Sequence, residues 1–294
     1  MEYHVDLSVV IPTYQGAAHI ISTLEQVRAV LCSYEGSCEI IVVDDGSVDG
    51  TFDAVKSWSA DRSENGTSPE AASRSSRIRL RLLRLGRNLG QQRATLIGMC
   101  CAEGEVIVTM DDDLQHPPEN IPRLAAVLSE GYDLVYAVPD AEGRGYVRSL
   151  GSAARNLLFV LLFGRRARGI RPSSFRAFTG EISRKIVSHP EGFLYLSAEF
   201  FIRTSKISQI KVKYGYKDAQ YSRYPLIRLC AVFMKLTLYF PWVPAAWREK
   251  LGAGMISESG LQSGWNTDLR TDGKGRDGLI TLLGEVQKEI LVCG

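Results

Sequence analysis

The sequence lacks the features typical of disulfide-rich or zinc-binding proteins, of membrane-spanning proteins and of proteins with a secretory leader. Its six cysteines form no CxxC pair and lie mostly among apolar neighbours, so neither a disulfide framework nor a zinc site is predicted. It has no uninterrupted apolar run of the roughly 20 residues that a membrane-spanning helix needs. The N-terminal Met1–Asp6 carries two acids and leads directly into the apolar Leu7–Ile11, unlike a secretory leader. We therefore expect a cytosolic active site.

Two shorter apolar stretches bear on membrane contact. Residues 156–164 are too few to span a bilayer and are predicted to lie in the core or at an interface. Residues 225–247 are interrupted by charges and prolines, but Arg228 and Lys235 are seven positions apart and share one helix face. Several aromatic residues follow, as in a helix lying among lipid headgroups. We predict an amphipathic interfacial segment over 225–251, with a buried amphipathic helix as the alternative.

Charge is distributed unevenly along the chain, although the net charge is only +2. Residues 1–142 contain 22 acids and 11 bases, whereas residues 143–228 contain 17 bases and 4 acids. Between Gly143 and Gly180 there are eight arginines and no acid, a block that repels itself unless it faces phosphates, anionic lipid or nucleic acid. A solvated basic face is the alternative. No nucleic-acid recognition motif accompanies the arginines, so we expect no nucleic-acid partner.

The first half of the chain alternates short β-branched runs with helical patterns. Strands are predicted at residues 7–11, 39–43, 78–85, 106–110 and 133–138, and helical spacing of apolar residues occurs over 20–31 and 121–128. Such alternation predicts an α/β fold with a mostly parallel, Rossmann-like central sheet and helices on both faces.

The domain boundaries follow from shifts in composition. We predict one catalytic domain over residues 1–224, interrupted by a flexible polar loop at 59–77. The interfacial segment comes next, and residues 252–294 form a polar tail of unknown role with a short helical pattern at 279–291. The sequence predicts no oligomeric state.

The strongest chemical signal is MDDDLQHPPE, residues 110–119, directly after a predicted strand. Three consecutive carboxylates repel one another unless a divalent cation neutralises them. Asp111 and Asp113 can face the same side of an extended segment, with Gln115 next in phase. Hard oxygen ligands completed by substrate phosphates suit Mg²⁺ or Mn²⁺. An Asp-rich turn that caps the next helix is the alternative.

A second signal is VVDDGSVDGT, residues 42–51, at the predicted carboxyl end of another strand, where open α/β sheets bind ligands. A carboxylate there can accept the N–H of a uracil or guanine base. Turn chemistry is the alternative, because Asp, Gly and Ser all favour a strand-to-helix turn. We assign Asp45 to the ligand, and Gly46 and Asp49 to the turn.

Five motifs together resemble those of family two glycosyltransferases. They are VVIPTYQG at residues 9–16, VVDDGSVDGT, RNLGQQRA at 87–94, MDDDLQHPPE and SFRAF at 174–178. More narrowly, the chain resembles the polyprenyl-phosphate sugar transferases, which act on dolichyl or undecaprenyl phosphate, and the match covers about residues 7–240. The resemblance implies a GT-A fold, a nucleotide-sugar donor carrying UDP, GDP or dTDP, a polyprenyl phosphate acceptor, and attachment to the cytosolic face of a membrane.

The resemblance also implies roles for particular residues. It places Pro12, Tyr14 and Asp45 in the nucleotide-sugar site, and Asp111, Asp113 and Gln115 at the metal and diphosphate. It places the acceptor phosphate against Arg148, Ser152, Lys217, Ser222 and Arg223, with Tyr224 beside them. We add Asp112 to the predicted nucleotide-sugar site and Arg144 to the predicted acceptor site. Asp111, Asp113 and Arg148 are the predicted catalytic set.

The chain departs from the family pattern at several positions. The Glu of the family's PTYNE motif is Gly16 here, so one donor contact is lost or relocated, and Asp112 stands where the relatives' DADLQ motif often has Ala. In the later RxxGxSKY motif, Lys217 replaces Arg and Gln220 replaces Gly. The two spanning helices that commonly follow in bacterial relatives are not predicted after Trp247.

The predicted reaction is a direct displacement at the anomeric carbon with inversion. A phosphate acceptor is already ionised near neutral pH, because its second pKa is about 6, and it needs no catalytic base. A soluble glycosyltransferase with a hydroxyl acceptor would need one, and Asp112 or Glu199 would then be the candidates. A non-catalytic nucleotide-sugar-binding protein is the third hypothesis, against which the intact Asp111 and Asp113 argue.

Overall fold

The computed structural model describes residues 4–64, 78–140, 167, 169–188, 195–214 and 286–291. Its strands are β1 Leu7–Thr13, β2 Cys38–Asp44, β3 Ile78–Leu85, β4 Val106–Thr109, β5 Leu134–Pro139, β6 Arg176–Thr179, β7 Ile207–Val212 and β8 Val286–Leu291. Its α-helices are α1 Ile20–Leu31, α2 Thr51–Glu64, α3 Gln91–Cys101, α4 Ile121–Ser129, α5 Gly180–Val187 and α6 Leu196–Arg203. A short 3₁₀ helix, Pro118–Asn120, precedes α4.

The eight strands form one sheet in the order β7-β5-β6-β4-β1-β2-β3-β8. Strands β4, β1, β2 and β3 are parallel neighbours, as are β5 and β7. Strand β6 runs antiparallel between β4 and β5, and β8 runs antiparallel along β3. The sheet is therefore mostly parallel, as predicted, with one antiparallel strand inside it and one at its edge.

Helices cover both faces of the sheet, which explains why its central strands are buried throughout. Every residue of β1 and β2 is buried, as expected for parallel strands enclosed on both sides. One apolar layer packs under α1, α2 and α4, and a second under α3, α5 and α6. Strand β3 is different, because its three arginines, Arg79, Arg81 and Arg84, are only partly buried.

The structure corrects two predicted boundaries. Helix α2 continues through Glu64, six residues into the segment 59–77 that was predicted to be a loop. Residues 286–291 form strand β8, although the spacing of apolar residues over 279–291 indicated a helix. Pairing with β3 explains the strand, since it satisfies backbone groups that an edge strand leaves unpaired. Helix α1 has the bounds that its apolar spacing predicted.

Other predictions fall outside the described residues. These include the apolar stretch 156–164, the amphipathic segment 225–251 and most of the tail 252–294. No helix in the described ranges is both long enough and apolar enough to cross a bilayer.

A buried ionic network ties the strands together at the edge where β1 and β2 begin. The Glu39 side chain is fully buried, and its neighbours across the sheet are Ser8 on β1 and Arg79 on β3. Its carboxylate accepts hydrogen bonds from Ser8 Oγ (2.6 Å), the Glu103 N–H (2.7 Å), Arg79 (3.1 Å) and Arg81 (3.3 Å). Both arginines also pair with Glu103. This network uses all the acceptor capacity of a buried carboxylate, which makes it structural.

Candidate functional site

The functional motifs meet at one edge of the sheet because the strands that precede them run in the same direction. Strands β1, β2 and β4 are parallel, so their carboxyl ends share one edge of the sheet, followed there by Tyr14, Asp45 and Asp111. Strand β6 runs the opposite way, so its beginning lies at the same edge. The register pairs Thr109 with Arg176, which brings Ser174 opposite Asp111.

Asp111 is held by side chains from two other segments. Its Oδ1 accepts a hydrogen bond from Gln91 Nε2 at 2.5 Å, and its Oδ2 accepts one from Ser174 Oγ at 2.8 Å. Gln91 is the first residue of α3, and Ser174 precedes β6. The carboxylate is therefore fixed in orientation while it remains partly exposed.

His116 lies beneath this carboxylate. Its Nδ1 accepts a hydrogen bond from the Asp111 N–H at 3.0 Å, so Nδ1 carries no proton, and its Nε2 lies 3.7 Å from Asp111 Oδ2. The ring stacks on Phe175 and meets Tyr214 edge to face, each at a centroid distance of 5.1 Å. Burial lowers the pKa of His116, while Asp111 and Asp113 oppose that shift. The imidazole thus positions the backbone at Asp111.

Asp112 points away from Asp111 and towards β1 and α1. Its Oδ2 accepts a hydrogen bond from Thr13 Oγ1, and its main-chain oxygen accepts one from Thr23 Oγ1 at 2.7 Å. Burial raises the pKa of Asp112, and the charges of Asp111 and Asp113 raise it further. The neighbouring carboxylates Asp111 and Asp113 therefore lie close enough to disfavour the charged form of Asp112.

The backbone is strained in two loops of this edge. Among the described residues, the non-glycine residues with positive φ are Gln15 (φ 51°) and Leu114 (φ 63°). Gln15 directly follows Tyr14, and Leu114 directly follows Asp113. Left-handed backbone at such residues costs of the order of 1–2 kcal/mol and concentrates at functional sites. Beyond Leu114, the Gln115 N–H donates to Asp113 Oδ1 at 3.1 Å, and the Gln115 side chain is exposed.

Asp45 joins two loops of the site. Its Oδ1 and Oδ2 accept hydrogen bonds from the backbone N–H groups of Leu89 (2.7 Å) and Gly90 (2.8 Å), just before α3. It is almost fully buried, and this burial raises its pKa while the two N–H groups oppose the shift. Asp45 thus fixes the RNLG loop, and a ligand would have to use the lone pairs that remain on its carboxylate.

Turn chemistry around Asp45 follows the prediction. Gly46 has φ +74°, and a side chain there would meet the backbone of Arg87 and Asn88. Asp49 accepts hydrogen bonds from the N–H groups of Thr51 and Ala17, both at 3.1 Å. These contacts close the loop that leads into α2.

Pro12 and Tyr14 occupy different positions. Pro12 is buried in β1 opposite Val43, whereas Tyr14 is 48% exposed at the end of that strand. The Tyr14 hydroxyl accepts a hydrogen bond from Gln15 Nε2 at 3.3 Å. Tyr14 is therefore a half-exposed aromatic side chain at the sheet edge.

The donor set at this edge fits a hard divalent cation. Asp111 and Asp113 offer carboxylate oxygens, and Gln115 offers an amide oxygen. No group of three or more His, Cys, Asp or Glu side chains in the described ranges is placed so that it could hold a metal ion. Two carboxylates completed by phosphate oxygens and water is the coordination that Mg²⁺ commonly takes in nucleotide-dependent enzymes.

The predicted acceptor residues lie outside the described part of the chain. These are Arg144, Arg148, Ser152, Lys217, Ser222, Arg223 and Tyr224. Glu199, the alternative base, is buried on α6 and forms an i,i+4 ion pair with Arg203. Asp112 is partly exposed, so it remains the better placed of the two candidate bases.

Gln91, Ser174 and His116 have no role in the predictions from sequence, although they contact Asp111. All three lie within quoted motifs, but only the antiparallel register of β6 and the start of α3 reveal their contacts with Asp111. In the sequence, the position of these three residues within the motifs was the only indication that they belong to the site.

Arg176 of SFRAF also had no assigned role. It is a buried cation whose guanidinium donates to Ser197 Oγ at 3.3 Å and lies 4.9 Å from the centre of the Phe200 ring. Burial lowers its pKa, and its Nε has no hydrogen-bond partner in the described part of the chain. Tyr136 favours its charged form most, and Tyr195 and Asp111 contribute less. The buried guanidinium is therefore a positive charge within electrostatic reach of Asp111.

Comparison with known proteins agrees with these features. The family model described as Glycosyl transferase family 2 matches residues 8–153. The undecaprenyl-phosphate 4-deoxy-4-formamido-L-arabinose transferase of Serratia proteamaculans (strain 568) is 30% identical over 226 residues, covering 76% of this chain and 65% of that protein. The protein of the same name from Pectobacterium atrosepticum is 31% identical over 262 residues, covering 87% of this chain and 73% of that protein. The chain thus spans less than two thirds of the Serratia relative.

Solved structures support the fold. Glucosyl-3-phosphoglycerate synthase from Mycobacterium tuberculosis, in complex with Mn²⁺, UDP and glucosyl-3-phosphoglycerate, matches with a TM-score of 0.54 at 20% identity, over 80% of this chain and 78% of that one. Its UDP complex matches with a TM-score of 0.53 at 22% identity and the same coverage. The predicted GT-A-like fold is confirmed. The identity to the Pectobacterium relative and the matching family model together show that this chain belongs to glycosyltransferase family 2.

Proposed function

We propose that this protein transfers a sugar from a nucleotide-diphosphate sugar to a polyprenyl phosphate, with inversion, at the cytosolic face of a membrane. The observation that carries the proposal is the convergence of Tyr14, Asp45 and the Asp111–Asp113 carboxylates at one sheet edge. The relatives named undecaprenyl-phosphate sugar transferases support the acceptor class.

The donor half of the site contains the residues described above. Tyr14 offers an aromatic face for the base, and Asp45 and Asp112 offer hydrogen-bond acceptors. Asp111, Asp113 and Gln115 would hold Mg²⁺ or Mn²⁺ together with the donor diphosphate. A divalent cation bound there would neutralise the negative charge that builds up on the departing diphosphate. Gln91 and Ser174 keep the Asp111 carboxylate oriented for that purpose.

The acceptor half is assigned to the arginine-rich part of the chain. The phosphate of the acceptor carries negative charge at neutral pH, so it approaches an anionic donor only where cations offset the repulsion. We assign this task to Arg148, with Arg144, Ser152, Lys217, Ser222 and Arg223 around it. The buried guanidinium of Arg176 contributes positive potential from within the sheet.

The reaction is a single displacement. A phosphate oxygen of the acceptor forms a bond to the anomeric carbon as the bond from that carbon to the diphosphate breaks, and a nucleoside diphosphate leaves. Since the second pKa of a phosphate monoester is about 6, the attacking oxygen is already ionised and the protein need not remove a proton. Attack opposite to the leaving group inverts the anomeric configuration.

The proposal is tested by product formation. Purified protein is incubated with UDP-, GDP- and dTDP-sugars, Mn²⁺ or Mg²⁺ and a short polyprenyl phosphate, and lipid-linked sugar is identified by mass. We expect product from one donor class, none with the corresponding polyprenol, and none in excess EDTA. Product from the polyprenol alone would support a hydroxyl acceptor instead, and undiminished product in EDTA would reject the metal.

Gln91→Ala and Ser174→Ala test the support of Asp111. Each variant removes one hydrogen bond to a metal-ligand carboxylate, and loss of such partners typically costs about 10- to 100-fold in metal affinity. We expect a rise of that size in the Mn²⁺ concentration needed for half-maximal activity, with a smaller change at saturating Mn²⁺.

The matched controls are Gln26→Ala, on the exposed face of α1, and Ser129→Ala, at the end of α4. Both should leave the Mn²⁺ requirement unchanged. If the Gln91 and Ser174 variants behave like these controls, the contacts with Asp111 have no role in metal binding.

A further inference from the structure

Gly16 is a glycine that its backbone conformation does not require. Its φ is outside the positive range adopted by Gly46 and Gly50, so a residue with a side chain could adopt the same backbone. Its N–H donates to Thr51 Oγ1 at 3.0 Å, and its carbonyl accepts from the N–H groups of His19 and Ile20 at 2.9 Å. Any residue except proline makes such backbone contacts. The reason for glycine must therefore be the space that a side chain would occupy.

That space is filled by a hydroxyl and a carboxylate. A Cβ at position 16 would lie closer than 3.0 Å to both Thr13 Oγ1 and Asp112 Oδ2, an approach that real side chains essentially never show. These two atoms are hydrogen-bonded to each other, and the Asp112 main chain is fixed by Thr23 Oγ1 at 2.7 Å. A side chain at position 16 therefore requires the Thr13 hydroxyl and the Asp112 carboxylate to leave these positions.

The Asp112 carboxylate retains capacity for a ligand. In the described ranges, Thr13 is the one side chain that donates to it, whereas an ionised carboxylate accepts about four hydrogen bonds. It is partly exposed and lies at the edge that carries Tyr14 and Asp111. A sugar or ribose hydroxyl of a nucleotide sugar is the kind of donor that such a carboxylate accepts.

The two departures from the family motifs occur at these same positions. In PTYNE and DADLQ, the acid is at the position of Gly16 and the small residue is at the position of Asp112. In this chain the acid and the small residue are exchanged, and the structure places the two positions in contact.

We infer that Gly16 and Asp112 form a coupled pair in which Asp112 supplies, from the β4 loop, the donor-site carboxylate that position 16 supplies in the motif's usual form. Asp112 thereby determines which nucleotide sugar is recognised, by accepting a hydrogen bond from one of its hydroxyl groups. This inference rests on the proposed function.

A double-mutant cycle tests the exchange. Affinity for the nucleotide sugar that the wild-type protein accepts is measured by calorimetry with Mn²⁺ and without acceptor, for Gly16→Glu, Asp112→Ala and the double variant. Each single change should weaken binding about tenfold or more, through a clash in the first case and loss of a charge-assisted hydrogen bond in the second. The double variant should recover to within about threefold of wild type. Losses that simply multiply would overturn the inference.

A second readout is independent of any ligand. Gly16→Ala should lower the urea midpoint of unfolding in the wild-type background and have a much smaller effect beside Asp112→Ala, where Thr13 loses its acceptor and can turn away. If Gly16→Ala lowers the urea midpoint equally in both backgrounds, position 16 and Asp112 are not in the close contact on which the inference depends. If the wild-type protein binds no nucleotide sugar, the proposed function is rejected. If the wild-type protein binds one but the double variant does not recover that affinity, only the inference about Gly16 and Asp112 is rejected.

Discussion

Asp113→Ala is expected to reduce the rate of sugar transfer by about 10²- to 10³-fold or more, the usual cost of removing a group that stabilises charge in the transition state. Asp113 is partly exposed in the loop after β4, and the Gln115 N–H is its one hydrogen-bond donor among the described residues. The substitution should therefore leave the fold intact. Initial rates of lipid-linked product formation, measured at saturating donor and Mn²⁺, give the effect.

Glu130→Ala is a suitable control because Glu130 is an exposed carboxylate at the end of α4. Its rate should equal that of wild type. Both variants should show wild-type urea midpoints, so that a lost rate is not a lost fold. An Asp113→Ala protein that transfers sugar at even a third of the wild-type rate would remove this residue from the catalytic set.

Glu39→Ala is expected to lower the free energy of unfolding by about 3–5 kcal/mol, as is typical when one partner of a buried ion pair is removed. The side chain is fully buried, and its loss leaves Arg79 and Arg81 without their shared partner on β2. It also leaves the Ser8 hydroxyl and the Glu103 N–H without an acceptor. Equilibrium unfolding in urea measures the loss.

Glu35→Ala provides the comparison, since Glu35 is exposed just before β2 and its removal should change stability by no more than about 0.5 kcal/mol. Glu39→Gln should fall between the two, because it can keep hydrogen bonds while losing the charge. If Glu39→Ala costs less than about 1 kcal/mol, the network contributes little to holding β1, β2 and β3 together.

Strand positions and the common edge of the motifs could be predicted from the sequence because they depend on local patterns. The apolar run Leu7–Ile11 and the alternating residues of 78–85 identify strands without any knowledge of their partners. Once those strands are parallel, their carboxyl ends lie at one edge of the sheet, and Asp45 and Asp111 are brought to that edge on either side of β1.

Contacts that depend on distant pairing could not be predicted in this way. Nothing in SFRAF indicates that β6 runs antiparallel beside β4, which is why the Ser174 contact with Asp111 was missed. Residues 286–291 contain Val286 and Ile290 four positions apart, which suits a helix, and only the free edge of β3 selects a strand. The donors to Asp45, from Leu89 and Gly90, lie more than 40 positions away along the chain.

We propose that Asp111 and Asp113 bind a nucleoside diphosphate through a divalent cation. Calorimetric titration of UDP, GDP and dTDP into the 294-residue protein, with Mn²⁺ and again with EDTA, measures this binding. We expect one of these nucleotides to bind only when Mn²⁺ is present, and its binding to be lost in Asp113→Ala. Binding of equal strength in EDTA, or no binding of any of the three with Mn²⁺ present, would contradict it.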